Sequence, residues 1–123
     1  MSLCILASGK VVALAVTAFT LGWTHSIEKT RWEEDWRMTP AGLELVQSRI
    51  KGSGAGMEPA PDAKLENGWW VSSPSITPRK ELVLASSGAT GGGWTLCAEG
   101  RCLEIGAQQA DPIIVRACRP GDQ

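Results

Sequence analysis

The chain has 123 residues, of which 43% are hydrophobic and 20% charged, and a formal net charge of -1. That length holds about one domain of roughly 100–200 residues and excludes a multidomain enzyme, while the composition supports a folded core over general disorder. Twelve basic against thirteen acidic side chains leave no cationic surplus to displace counterions from phosphate, which argues against a nucleic-acid partner.

Residues 3–11 read as strand, small-residue turn at Ser8-Gly9, then strand. Residues 11–23 carry no charge and follow Lys10, the only charged side chain among the first 24 residues. A membrane helix needs about 20 apolar residues, and a signal peptide needs basic residues ahead of its apolar run and a small-x-small cleavage site behind it. Here Lys10 splits the run, Ala13-Leu14-Ala15 falls too early for a cut, and Val, Thr and Phe favour strand. The expectation is therefore a cytoplasmic protein, with the extracytoplasmic face of the membrane as the alternative.

The middle of the chain has the clearest periodicity. Phe19, Leu21, Trp23, His25 and Ile27 alternate with polar or small residues, as do Trp32, Glu34, Trp36 and Met38, and Leu43 and Leu45 open a third run. Residues 52–63 form a Gly/Pro-rich loop, and residues 72–78 form a second loop rich in Ser and Pro. Between them Asn67-Gly68 signals a tight hairpin joining residues 64–66 to residues 69–71. Trp69 and Trp70, adjacent on a strand, must point to opposite faces, one toward the core and one toward solvent. Residues 96–103 repeat the pattern of the first hairpin, with Cys97 and Cys102 facing each other across a turn, and the tail past Arg119 is expected to fray. This pairing allows a cross-strand disulfide, but the favoured expectation is four reduced cysteines behaving as small apolar residues in a cytosolic protein. Their spacing does not suit zinc, and no metal or cofactor is expected. Frequent turns and short segments make residues 1–123 a single all-β domain, an open barrel or sandwich of about eight short antiparallel strands.

Register converts the periodicity into a candidate site. A four-residue turn at residues 28–31 sets Ile27 opposite Trp32, His25 opposite Glu34, Trp23 opposite Trp36 and Leu21 opposite Met38. A second such turn at residues 39–42 sets Leu43 opposite Met38, Leu45 opposite Trp36, Gln47 opposite Glu34 and Arg49 opposite Trp32. His25, Glu34, Gln47 and Arg49 would then share one face walled by Trp23, Trp32 and Trp36. A one-residue slip in either pairing would disperse the cluster. Gly54 and Gly56, in the loop after Arg49, would place backbone N–H groups at its rim. The cluster either binds a small carboxylate or fixes the register of the strands. It is not expected to be catalytic, because Ser26 points to the opposite face from His25 and supplies no nucleophile.

Residues 20–30, followed by Glu33-Glu34-Asp35-Trp36 and then Gly52-Ser53-Gly54-Ala55-Gly56-Met57-Glu58-Pro59, resemble the bacterial family catalogued as domain of unknown function 1850. The His-Ser-Ile-Glu, Glu-x-Trp and Gly-Ala-Gly-Met segments occur in the family's order, although Glu58 stands where members typically have Pro. The resemblance implies association with tripartite (TRAP-type, TAXI subclass) transporters, which import small organic acids, and maps family positions onto His25, Ser26, Glu28, Glu34 and residues 54–56. The expected function is thus a non-enzymatic accessory protein of such a system that binds a small organic acid. The alternative is an interaction module docking on transporter components through an exposed face of Trp69 or Trp70.

Overall fold

A computed structural model describes residues 1–24, 30–52, 61–88 and 93–122. It is all-β, with eleven strands among the described residues: β1 (Leu3–Ala7), β2 (Lys10–Leu14), β3 (Ala18–Thr24), β4 (Arg31–Thr39), β5 (Gly42–Lys51), β6 (Lys64–Glu66), β7 (Trp69–Ser72), β8 (Glu81–Leu84), β9 (Trp94–Ala98), β10 (Arg101–Ile105) and β11 (Ile113–Ala117). They form two antiparallel sheets, ordered β2-β1-β11-β8 and β10-β9-β3-β4-β5-β7-β6, that face each other as a sandwich and do not close into a barrel. The strand number exceeds the expected eight because three- and four-residue strands such as β6 and β8 are too short to leave a periodic signature.

Three hairpins turn through two consecutive left-handed residues: Ser8-Gly9, Asn67-Gly68 and Glu99-Gly100, with φ of 49°/77°, 51°/84° and 51°/78°. That twist matches the right-handed twist of the flanking strands, which is why the Asn-Gly and small-Gly dipeptides mark them in the sequence. The core lies between the inner faces of the sheets, with Leu3, Ile5, Leu82, Leu84, Ile113 and Val115 meeting Phe19, Leu21, Trp36, Met38, Leu43 and Leu96. Truncating such a leucine to alanine costs about 2–5 kcal/mol.

The small sheet is built from the two chain ends plus β8. β1 pairs with β11, and a disulfide between Cys4 and Cys118 spans a sequence separation of 114. Closing so long a loop in the unfolded chain is worth on the order of 4 kcal/mol. A second disulfide joins Cys97 and Cys102, directly opposed on β9 and β10. The expectation of reduced thiols is therefore corrected: register places both pairs within bonding reach, a constraint the weak export signal did not reveal. The tail expected to fray is tied back instead, because Arg116 donates to Asp122 at 2.8 Å and Asp122 also accepts from the backbone N–H of Arg119. No helix among the described residues is long and apolar enough to cross a membrane.

Candidate functional site

Two details of pairing decide where the polar residues of the large sheet go. In the β3–β4 hairpin Thr24 pairs with Arg31, so the connection runs over residues 25–30 and is longer than the four-residue turn expected. Trp23 therefore faces Trp32 in place of Ile27, a shift of four positions. An even shift leaves every side chain on its expected face, so Phe19, Leu21 and Trp23 still share the inner face with Trp32, Glu34 and Trp36.

The β4–β5 hairpin begins as expected, with Met38 opposite Leu43 and Trp36 opposite Leu45. Then the register shifts, so that Asp35 meets Gln47, Glu34 meets Ser48, Glu33 meets Arg49 and Trp32 meets Ile50. Val46 is the extra residue of a β-bulge, and one inserted residue turns every later side chain of β5 to the other face. Gln47 and Arg49 consequently leave Glu34 and join the outer face of the sheet. This corrects the expected four-residue cluster.

On that outer face Arg49 is fully engaged. Its guanidinium holds Asp35 through two bonds, Nη1 to Oδ2 at 2.6 Å and Nη2 to Oδ1 at 3.0 Å. Nη2 and Nε also reach Oε1 of Glu33 at 3.2 and 3.4 Å, and Nη1 donates to Gln47 Oε1 at 2.9 Å. Thr20 donates to Asp35 Oδ1 at 2.8 Å, and Arg31 Nε lies 3.7 Å from Glu33 Oε2. Gly22, opposite Glu33, leaves the space that the Arg31 guanidinium occupies, since a Cβ there would clash with it. The Arg49 guanidinium pulls Asp35 below the usual aspartate range against the opposing effect of burial, and the two carboxylates hold Arg49 charged. A network this satisfied has no donor to spare for a ligand.

The inner face differs. Glu34 stands opposite Leu21 and Ser48, and Trp36 donates its indole N–H to Oε1 at 3.2 Å. Burial pushes the Glu34 carboxyl above the usual glutamate range, and the Trp36 bond only partly offsets it. Glu34 lines a cleft of about 290 Å³ between the sheets, walled by Trp23, Trp36 and Trp94 and reached by Ile76 and Arg79. The backbone of Arg79 pairs with Leu43 through two hydrogen bonds of 2.7 and 2.8 Å, which brings a distant loop to the cleft mouth. Arg79 makes no ion pair among the described residues.

Beside Glu34 runs an apolar row that crosses all seven strands in register: Ile105, Trp94, Trp23, Trp32, Ile50, Trp70 and Leu65. Trp23 stacks on Trp32 with ring centroids 5.8 Å apart and meets Trp94 at 5.0 Å. Trp94 is fixed in turn by its indole N–H, which donates to the Ala85 carbonyl at 2.9 Å. Trp69 lies on the opposite face under Lys51, whose Nζ is 5.1 Å from the ring centroid. Opposite faces for Trp69 and Trp70 are as expected, but both are half-buried and neither is the exposed docking face anticipated.

Of the expected site residues, then, Glu34 lies in the inner cleft, Gln47 and Arg49 lie on the outer face, and His25, Gly54 and Gly56 fall outside the described residues. Sequence reasoning missed Asp35, Glu33 and Thr20 as the partners of Arg49. Their alternation with Trp32, Glu34 and Trp36 marked them as one face, but only the bulge sends Arg49 there. Arg79 had no local signal, since its placement depends on the single bridge to Leu43.

The family described as Domain of unknown function (DUF1850) matches residues 19–105. The chain belongs to this family. The match covers β3 to β10, the whole large sheet with β8, and stops short of β1, β2 and β11. No curated protein and no solved structure matches the chain.

Proposed function

We propose that the protein is a non-enzymatic accessory component of a TRAP-type (TAXI) transport system, and that it holds a small organic acid in the cleft at Glu34. The observation that carries this reading is a half-buried, desolvated carboxyl in a tryptophan-walled cleft with an arginine at its mouth. The described residues there suit binding: Arg79 takes the acid's carboxylate, Glu34 exchanges a hydrogen bond with a hydroxyl or amino group, and Trp23 and Trp94 cover the carbon skeleton. The transporter association rests on the resemblance of the Glu-x-Trp and Gly-Ala-Gly-Met segments. Two disulfides favour work in an oxidising compartment, on the extracytoplasmic side of the membrane.

Calorimetry with a panel of hydroxy and amino acids tests the reading. Glu34→Gln and Arg79→Gln should each weaken binding about tenfold, the loss expected for one charge-assisted contact. Unchanged affinity in both variants rejects the site. A second reading, docking on transporter components, is favoured by one observation: the apolar row ends at the sheet edge on Leu65, which is 58% exposed. Under that reading Leu65→Glu abolishes co-purification with the transporter while Glu34→Gln leaves it intact.

A further inference from the structure

The sandwich is open along the side where its two edge strands, β2 and β10, flank a cleft of about 520 Å³. Val12 stands opposite buried Ile5, and Leu103 opposite buried Leu96, so both face inward; yet they are 45% and 38% exposed. Neither sheet covers the other here. The floor is Val16 and Leu96, both buried, the walls are Leu14 and Leu103, and Glu99 and Arg101 stand at the rim. All of these residues are among those described.

Arg101 is the unusual member. It pairs with Ala98 and sits two residues before Leu103, which places a guanidinium on the otherwise apolar face of the β9–β10 hairpin. It forms no ion pair among the described residues. The disulfide between Cys97 and Cys102 lies on the opposite face of the same hairpin and holds it rigid, so the groove is formed before anything enters it. Its volume falls within the roughly 300–1,000 Å³ of small-molecule sites.

We infer that this groove is a second ligand site, distinct from the Glu34 cleft, that takes an unbranched aliphatic monocarboxylate, with the carboxylate on Arg101 and the hydrocarbon chain along Leu14, Val16, Leu96 and Leu103. A short polar acid leaves the apolar floor wet, and an uncharged chain leaves Arg101 unused. Glu99 at the same rim opposes the anion and tempers the affinity.

Calorimetry with decanoate below its micelle concentration tests the inference, with decanol and acetate as comparators and circular dichroism confirming the fold of each variant. Decanoate should bind saturably with a stoichiometry of one, and decanol and acetate about tenfold or more weaker. Arg101→Gln should weaken decanoate about tenfold, and Leu103→Asn should weaken it several-fold. Glu99→Gln should tighten it about twofold to threefold, since it removes a like charge from a solvated rim. Glu34→Gln should leave it unchanged, which separates this site from the cleft of the proposed function. Equal binding of decanol, indifference to Arg101→Gln, or no saturable binding of decanoate overturns the inference.

Discussion

Glu34 and Asp35 are neighbours in the chain and opposites in environment. Asp35 faces outward into a bidentate arginine and a threonine hydroxyl, and its pKa falls. Glu34 faces inward among tryptophans with one indole donor, and its pKa rises. Strand alternation separates the two side chains, but the single extra residue in β5 decides which of them receives Arg49. The comparison teaches that two carboxylates one residue apart can differ in how far hydrogen bonds and charge offset their burial.

Arg49→Glu should have the largest effect, because it sets a third carboxylate against Asp35 and Glu33 on the outer face. Losing the cation and adding like-charge repulsion should cost more than about 3 kcal/mol in denaturant unfolding, or prevent folding. Arg49→Met keeps the register and removes only the cation. Arg49 is 20% exposed and Asp35 34% exposed, so solvent screens part of the loss and the expected cost is about 2 kcal/mol at neutral pH. The Arg49→Met difference should shrink in acid. The folded Asp35 value lies below the ordinary 3.8, so the stability it contributes is present above that pH and is lost as pH falls through the folded value. Thermal melts of wild type and Arg49→Met from pH 7 down to pH 2 should therefore converge.

Glu34→Gln should have the smallest effect and the opposite sign. The folded Glu34 value lies above the ordinary 4.5, so its favourable contribution is complete below that pH and is lost as pH rises through the folded value. The glutamine variant should match wild type near pH 4 and be slightly more stable at pH 8, by less than about 1 kcal/mol after solvent screening. A variant that gains stability while losing ligand affinity would sharpen the comparison, because removing a purely structural carboxylate costs stability and leaves affinity unchanged.

Much of this fold was legible in the sequence, and the illegible part depends on features that no local choice of residue marks. Alternation at residues 19–23 and 32–38 assigned the correct face to Leu21, Trp23, Glu34 and Trp36, because a wrong loop length that shifts pairing by an even number preserves faces. Asn67-Gly68, Ser8-Gly9 and Glu99-Gly100 located three hairpins, because left-handed backbone restricts residue choice. Residues 39–42 fixed the start of the β4–β5 pairing correctly. The bulge at Val46 left no such mark, since it needs no glycine and no left-handed residue. A valine within an apolar-polar alternation looks like any other strand residue, so Gln47 and Arg49 were assigned to the wrong side. The tryptophan row was hidden for a related reason: its members come from six strands besides β4, and only pairing across the sheet aligns them. The Cys4–Cys118 bond was equally invisible, because it depends on β1 and β11 lying side by side at opposite ends of the chain.

The central claim is that the bulge gives adjacent carboxylates opposite surroundings. Carboxyl-carbon NMR titration of the wild-type protein, with Glu34 and Asp35 assigned by their Gln and Asn variants, tests it most directly. The account predicts a midpoint for Glu34 above the ordinary glutamate value and one for Asp35 below the ordinary aspartate value. Two unshifted midpoints, or a lowered Glu34 beside a raised Asp35, would contradict it.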